Sequence, residues 1–165
     1  MQPNMQKYQL TEDEMVALLK REKYGIIATV GQDGMPYAVP VNYIYLDGKL
    51  YFHGRKTGEK VDNIAADPRC CFTVVTTGGF EYTGEWACNT TTVYESVVIR
   101  GKVKVIDDEN EKMRILRATV DILTPERKSD PINPKSVMPT SIFEITIESM
   151  TGKYHRPMEG HKIVK

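Results

Sequence analysis

The sequence predicts a mainly β protein with inserted helices, built as a small antiparallel barrel of about six strands. Short β-branched segments are separated by turn signals such as Asp33-Gly34 and Asp47-Gly48, which predict tandem hairpins. Helical patterns are inserted between groups of strands and do not alternate with each strand, which argues against a doubly wound parallel sheet. So small a barrel has little room inside, so we expect any ligand in an outer groove or at a subunit contact.

Size and composition limit the class of protein. The 165 residues fit one domain, residues 1–165, with 1–9 and 156–165 as tails. Lys plus Arg and Asp plus Glu both number 22, and this balance disfavours a broad nucleic-acid surface. The three cysteines are a poor disulfide framework, and no apolar run reaches the roughly 20 residues of a membrane span. We therefore expect a cytoplasmic protein without nucleic-acid or membrane partners.

The first third of the chain predicts a helix and a meander. Thr11 and Glu14 form a capping-box pattern that begins the helix, and Gly25 ends it. Three strands follow at 26–30, 36–45 and 50–53.

The rest of the chain alternates strands with two further helices. Thr57 is the expected N-cap of the second helix, which Asp67-Pro68 ends. The expected elements are a helix at 57–66, a strand at 70–76, a loop at 78–89, a strand at 94–106, a helix at 107–123, a proline-rich loop at 124–140 and a strand at 141–154.

Basic residues surround the predicted start of the second helix. Arg55 and Lys56 precede it, Thr57-Gly58 forms the turn, and Lys60 lies in its first turn. A helix N-terminus attracts anions such as phosphate, and these cations add full charges. Two interpretations stay open, a phosphate site and ordinary solvated side chains. Glu59 weighs against the phosphate, although an acid at a helix N-terminus is also common for structural reasons.

Val39-Pro40-Val41-Asn42 is unusual for a strand because proline donates no ladder hydrogen bond. The segment therefore belongs at an edge or a bulge. Its free backbone groups suit a flat heterocycle that alternates donors and acceptors. Alternatively, Pro40 only protects an edge from aggregation.

Further polar residues lie on or near strands. His53, at a strand end, is either a histidine that bonds backbone or a proton donor beside a bound ring. Arg100, in an otherwise apolar strand, predicts an anion or acidic partner nearby. Hydroxyl-rich residues 90–98 either line a groove or simply favour a strand. No metal-ligand spacing is present, and His155 and His161 receive no role.

Ordered motifs along residues 10–154 resemble the pyridoxamine 5′-phosphate oxidase-like split-barrel flavoproteins, and among them the Nim-type flavin reductases of 5-nitroimidazole resistance. The motifs that carry this resemblance are Tyr24–Val30, Asp33-Gly34-x-Pro36-Tyr37, Pro40–Tyr43, Tyr51–Gly54, Gly58-x-Lys60-x-x-Asn63-Ile64, Asp67-Pro68 and Tyr94–Val97 with Gly101.

The resemblance implies a six-stranded split barrel and a homodimer with FMN at its interface. It places Val39, Pro40, Val41 and Asn42 on the flavin ring through backbone groups, and Lys60 on the phosphate. The remaining implied cofactor contacts are His53, Gly54, Arg55, Asn63, Ser96 and Arg100, with Ser96 on the strand that reaches the partner's flavin. His53 is also the implied participant in reduction.

Two departures from that family matter. Glu59 stands where a basic residue commonly precedes the phosphate lysine, and Arg55 or Lys56 is the candidate replacement. The C-terminal Arg and Trp signature of vitamin B6 oxidases is not recognisable. The resemblance thus implies an FMN oxidoreductase that passes electrons from NAD(P)H to a small electron-poor acceptor. The alternatives are a non-catalytic flavin or haem carrier and a flavin-free structural dimer.

Overall fold

The computed structural model describes residues 7–165, so residues 1–6 of the predicted N-terminal tail lie outside the described range. The first helix, α1, spans Glu12–Arg21. Its capping box is confirmed, because the Thr11 hydroxyl accepts the Glu14 N–H at 3.3 Å and the Glu14 carboxylate accepts the Thr11 N–H at 2.8 Å.

Eight strands and three further helices follow. The strands are β1 Tyr24–Val30, β2 Pro36–Asn42, β3 Ile44–Leu46, β4 Lys49–Arg55, β5 Arg69–Tyr82, β6 Thr90–Ile106, β7 Thr140–His155 and β8 Lys162–Val164. The helices are α2 Glu59–Ala66, α3 Glu109–Leu123 and the single turn α4 Pro134–Val137, with a 3₁₀ turn at Pro125–Arg127 before α4.

The strands form one antiparallel sheet in the order β2-β1-β5-β6-β7-β4-β3, with β8 beside β5. The mainly β class is therefore confirmed, whereas the predicted count of six strands is wrong. The hydrogen-bonded path also does not close between β2 and β3. Tyr43 divides the predicted strand 36–45, because its side chain turns into the core and its hydroxyl donates to the Leu19 carbonyl of α1 at 3.0 Å.

The hairpin of β5 and β6 is longer than the sequence predicted. Strand pairing continues into the predicted loop 78–89, up to Tyr82 with Thr90, so that residues 83–89 connect the two strands. A bulge between Thr77 and Gly79 permits this, since Gly79 has φ 104° and a Cβ there would lie 2.4 Å from the Val164 carbonyl oxygen. The predicted tail 156–165 is likewise wrong in part, because β8 pairs with β5.

Two hydrophobic clusters hold the elements together. The larger fills the space between the sheet, α1 and α2, and contains Phe52, Phe72 and Phe143. The smaller packs α3 on β3, β4 and β7 around Ile115. Cys70 is buried and Cys71 is only half-buried, as expected of neighbours that point to opposite faces of a strand. Within residues 7–165, no helix is long and apolar enough to cross a membrane.

Candidate functional site

Strand β4 carries the predicted site residues to the start of α2. It pairs with β7 along its length, with His53 opposite Ile142 and Gly54 opposite Ser141. This pairing fixes the end of β4, so the following loop reaches the helix from a rigid strand.

The helix α2 begins without a side-chain cap. Gly58 is its N-cap residue at φ 123°, and no side chain bonds to the first turn. The prediction of Thr57 as the N-cap is therefore wrong. The strained turn at Gly58 shifts the helix start by one residue beyond the hydroxyl. The Val61 N–H donates to the Gly58 carbonyl at 2.7 Å, so the N–H groups of Glu59 and Lys60 are the ones that remain available to an anion.

Lys60 lies half-buried over two aromatic rings. Phe52 and Phe143 stack with centroids 4.7 Å apart, and the Lys60 ammonium lies 5.1 Å and 5.6 Å from their respective centroids. No carboxylate in the described part of the chain forms an ion pair with it. Burial lowers the pKa of Lys60 below its usual value, and the ring faces partly offset the loss of hydration.

Gly54 preserves the space around this ammonium. A Cβ at position 54 would lie 3.5 Å from the Lys60 Nζ and 3.6 Å from the ring of Phe143, which is contact distance. A side chain larger than that of alanine at Gly54 would therefore approach the ammonium group.

His53 is exposed at the end of β4 and makes no hydrogen bond within residues 7–165. Loss of hydration lowers the pKa of His53 below its usual value, and the charge of Lys60 lowers this pKa further. The imidazole is therefore neutral at neutral pH, with one nitrogen that donates and one that accepts.

An open cleft of about 290 Å³ lies at the start of α2, and we call it the α2 cleft. It brings together residues that are distant in sequence. Its lining residues are Tyr37, Val39 and Pro40 of β2, Arg55 of β4, and Thr57, Gly58, Glu59, Lys60 and Val61. Four of the predicted cofactor residues, Val39, Pro40, Arg55 and Lys60, thus meet in one place.

Pro40 lies on an edge strand, as its sequence predicted. It pairs with Ile26 of β1, and β2 has no second neighbour among the described strands. Alternate backbone N–H and C=O groups of β2 therefore point away from the sheet.

Other predicted residues have partners outside the α2 cleft. Val41 packs on the core, and the Asn42 amide donates to the Lys23 carbonyl at 3.4 Å. Asn63 is buried and donates to the Thr29 hydroxyl at 3.2 Å. The Ser96 hydroxyl donates to the Lys153 carbonyl at 3.5 Å. Their assignment to cofactor binding stays a prediction.

The outer face of the sheet is apolar and exposed, and we call it the outer face. It carries Tyr24 and Ile26 of β1, Val75 of β5 and Val98 of β6, with exposed fractions of 69%, 46%, 52% and 37%. Arg100 is exposed on the same face. An exposed apolar surface on neighbouring strands is typical of an interaction site.

A second polar cluster, which the sequence analysis missed, holds the C-terminal segment, and we call it the C-terminal clasp. The fully buried carboxylate of Glu81 accepts from His155 Nε2 at 2.5 Å, His161 Nδ1 at 2.7 Å and the Met158 N–H at 2.8 Å. These hydrogen bonds, with the Met158 N–H foremost, lower the pKa of Glu81 to about 2. The sequence signal that could have revealed this cluster is an acidic residue placed between two aromatic residues, Phe80 and Tyr82, in a strand.

The clasp does not amount to a metal site. Among residues 7–165, no group of three or more His, Cys, Asp or Glu side chains is arranged to hold a metal ion. Arg156, just after β7, adds a surface contact to this end of the molecule by pairing with Glu14 at 2.7 Å and Glu95 at 3.2 Å.

Comparison with known proteins agrees with this architecture. The family model described as pyridoxamine 5′-phosphate oxidase matches residues 11–154. No curated protein sequence matches the chain. Among solved structures, a candidate 5-nitroimidazole antibiotic resistance protein from Bacteroides thetaiotaomicron is 23% identical, with a TM-score of 0.72 over 88% of this chain and 85% of that one.

Two further solved structures share the fold. The flavocytochrome Anf3 from Azotobacter vinelandii is 20% identical, with a TM-score of 0.81 over 94% of this chain and 72% of that one. A FAD-binding protein from Mesorhizobium loti is 24% identical, with a TM-score of 0.67 over 90% and 97% of the two chains. At these identities, the likeness establishes the fold.

Proposed function

Because the chain belongs to the pyridoxamine 5′-phosphate oxidase family, we propose that it binds FMN and passes electrons from a reduced nicotinamide to a small electron-poor acceptor. The observation that carries the proposal is Lys60. Its ammonium is half-buried, has no carboxylate partner among residues 7–165, and lies beside an uncapped helix start in an open cleft.

The α2 cleft suits a phosphate. The Lys60 ammonium, the Arg55 guanidinium and the free N–H groups of the first turn all favour an anion there. Glu59 is exposed in the same lining, so solvent and salt weaken its repulsion, while its own N–H belongs to the helix start. Arg55 then supplies the positive charge that a basic residue at the position of Glu59 commonly supplies in the family.

The edge of β2 suits the flavin ring. Val39 and Pro40 reach the α2 cleft, and the unpaired backbone groups of β2 supply donors and acceptors to the edge of a heterocycle. FMN, when bound, supplies the hydride and electron transfer. In its protonated form, His53 would donate a proton to the reduced acceptor, and its lowered pKa favours the neutral imidazole that this step leaves.

The outer face supports the proposal of a homodimer. Tyr24, Ile26, Val75 and Val98 expose apolar surface there, and a second copy would bury it. Ser96 and Arg100 lie on the same strand as Val98, where they would reach a cofactor held by the partner.

The test is the absorption spectrum of the purified protein, followed by reaction with NADH or NADPH and a nitroaromatic acceptor. We expect a flavin spectrum that bleaches with the nicotinamide and returns with the acceptor. A flavin spectrum without turnover would support a flavin carrier. A Soret band after addition of haem would support a haem carrier of the kind that the flavocytochrome likeness suggests. A colourless protein that does not bind added FMN would overturn the proposal.

A further inference from the structure

A second cavity lies on the other side of the loop that borders the α2 cleft. It has a volume of about 490 Å³, which is within the range of small-molecule sites. Lys56 lines this cavity, while its neighbours Arg55 and Thr57 line the α2 cleft. The two cavities therefore share one short loop.

Three lysines from three different elements surround this cavity, which we call the lysine pocket. Lys56 follows β4, Lys112 lies in α3 and Lys135 lies in α4. None of them forms an ion pair or hydrogen bond through its side chain within residues 7–165. Three unpaired lysines in the lining of one cavity favour a multiply charged anion there.

The floor of the lysine pocket is apolar. Val137 is buried beneath it, Met113 is half-buried, and Met138 is 71% exposed at its rim. A flexible thioether adapts its shape to a flat ring. The floor therefore suits an aromatic base more than a bare inorganic anion.

Two carboxylates complete the lining. Asp107 and Glu109 lie at the start of α3 and have no partner in the described chain, whereas Asp108 between them caps the helix through the Glu111 N–H at 2.8 Å. Free carboxylates accept hydrogen bonds from sugar hydroxyls and from the amino group of a base. Cations, an apolar floor and acceptors together match a nucleotide.

We propose that the lysine pocket binds the adenosine diphosphate part of the reduced nicotinamide donor. The inference rests on the proposed oxidoreductase function, because it gives the electron donor a place beside the flavin site. Lys56, Lys112 and Lys135 contact the diphosphate, Met113 and Met138 contact the base, and the shared loop directs the nicotinamide end toward the α2 cleft.

The test is calorimetric titration of the full chain, free of flavin, with ADP. We expect ADP to bind, adenosine to bind more weakly, and the pair Lys112→Glu with Lys135→Glu to weaken ADP at least about tenfold. The matched control is Lys20→Glu with Lys128→Glu, which makes the same charge change at lysines outside the pocket. If the charge reversals reduce stability, the double variant Lys56→Ala with Lys135→Ala replaces them. Both of these lysines are exposed, and this variant should also weaken ADP binding.

Equal ADP affinity in the pocket and control variants, or no ADP binding to the native chain, would overturn the inference. A second measurement separates it from the proposed function. In flavin-loaded protein, the pocket variant should raise the KM for NADH and leave FMN affinity unchanged. If the KM for NADH is unchanged while the flavin still turns over, the nucleotide site in the lysine pocket is refuted and the oxidoreductase function stands. If the chain binds ADP but never binds FMN, the oxidoreductase function is refuted and the nucleotide site stands.

Discussion

The three histidines of the chain divide between two regions whose charges are arranged in opposite ways. In the C-terminal clasp, His155 and His161 bond to one buried carboxylate, and the backbone of Met158 completes its hydrogen bonding. Near the start of α2, His53 and the Lys60 of the α2 cleft have no acidic partner within residues 7–165, and their pKa values are lowered.

The difference supports the proposal that the clasp is structural and that the α2 cleft binds a ligand. A polar group without a partner costs free energy in the folded state, and proteins retain such groups where they serve function. The clasp satisfies its buried carboxylate with groups of the chain itself, and one of these, His161, directly precedes β8. The α2 cleft leaves its cations to be neutralised by something outside the chain.

The largest effect on stability is expected at the stacked aromatic pair beneath Lys60. Phe143→Ala removes a fully buried ring that stacks on Phe52 beneath Lys60, and we expect a loss of about 3–5 kcal/mol in the free energy of unfolding. Urea denaturation measures it. Phe80→Ala, at a ring that is 51% exposed, is the control and should change stability by less than about 0.5 kcal/mol. Equal losses in the two variants would show that Phe143 is not a core residue.

The second effect concerns the clasp. Glu81→Gln removes the charge that His155 and His161 share, so amide hydrogens of residues 156–165 should exchange about tenfold faster. Exchange in α2 should stay the same. Glu85→Gln, at an exposed acid in the same hairpin, is the control. Unchanged exchange in 156–165 would mean that β8 is held without the clasp.

The clasp also predicts a dependence on pH. Because the pKa of Glu81 is about 2 in the folded protein and near 4.5 unfolded, its stabilisation is present above pH 4.5 and is lost as the pH falls toward 2. Glu81→Gln should therefore flatten the decline of stability with acid in that range. A variant that loses stability as steeply as the native protein would contradict the lowered pKa.

The smallest expected effect is a shift in the pKa of His53, which tests its interaction with Lys60. The NMR titration of His53 should have a midpoint below that of a solvated histidine, mainly because of lost hydration. Lys60→Met should raise the midpoint, since it removes the neighbouring charge and keeps the bulk. A midpoint that Lys60→Met leaves in place would show that the two side chains do not interact.

Much of the fold could be predicted from sequence because its signals are local. The capping box at Thr11 and the edge position of Pro40 both follow from near neighbours in the sequence. The strand count failed because Tyr43 turns inward to bond α1, and because β8 forms only against a hairpin already in place. Neither contact leaves a local pattern.

The candidate site shows the same limit. Arg55 and Lys60 are close in sequence, so their grouping was predictable. The proline in Val39–Asn42 pointed to free backbone groups there, and the family resemblance assigned them to a flavin. The clasp was missed because Glu81 and His161 are 80 residues apart. Thr57 was mistaken for the cap because the turn at Gly58 adopts a conformation that only the structure reveals.

The central claim is that Lys60 binds the phosphate of a flavin, and a comparison of FMN with riboflavin tests it most directly. The two ligands differ only in the phosphate. We expect the native protein to prefer FMN by at least about tenfold, Lys60→Ala to lose that preference, and the control Lys128→Ala to retain it. A preference for FMN that survives Lys60→Ala, or equal binding of both ligands by the native protein, would contradict the account.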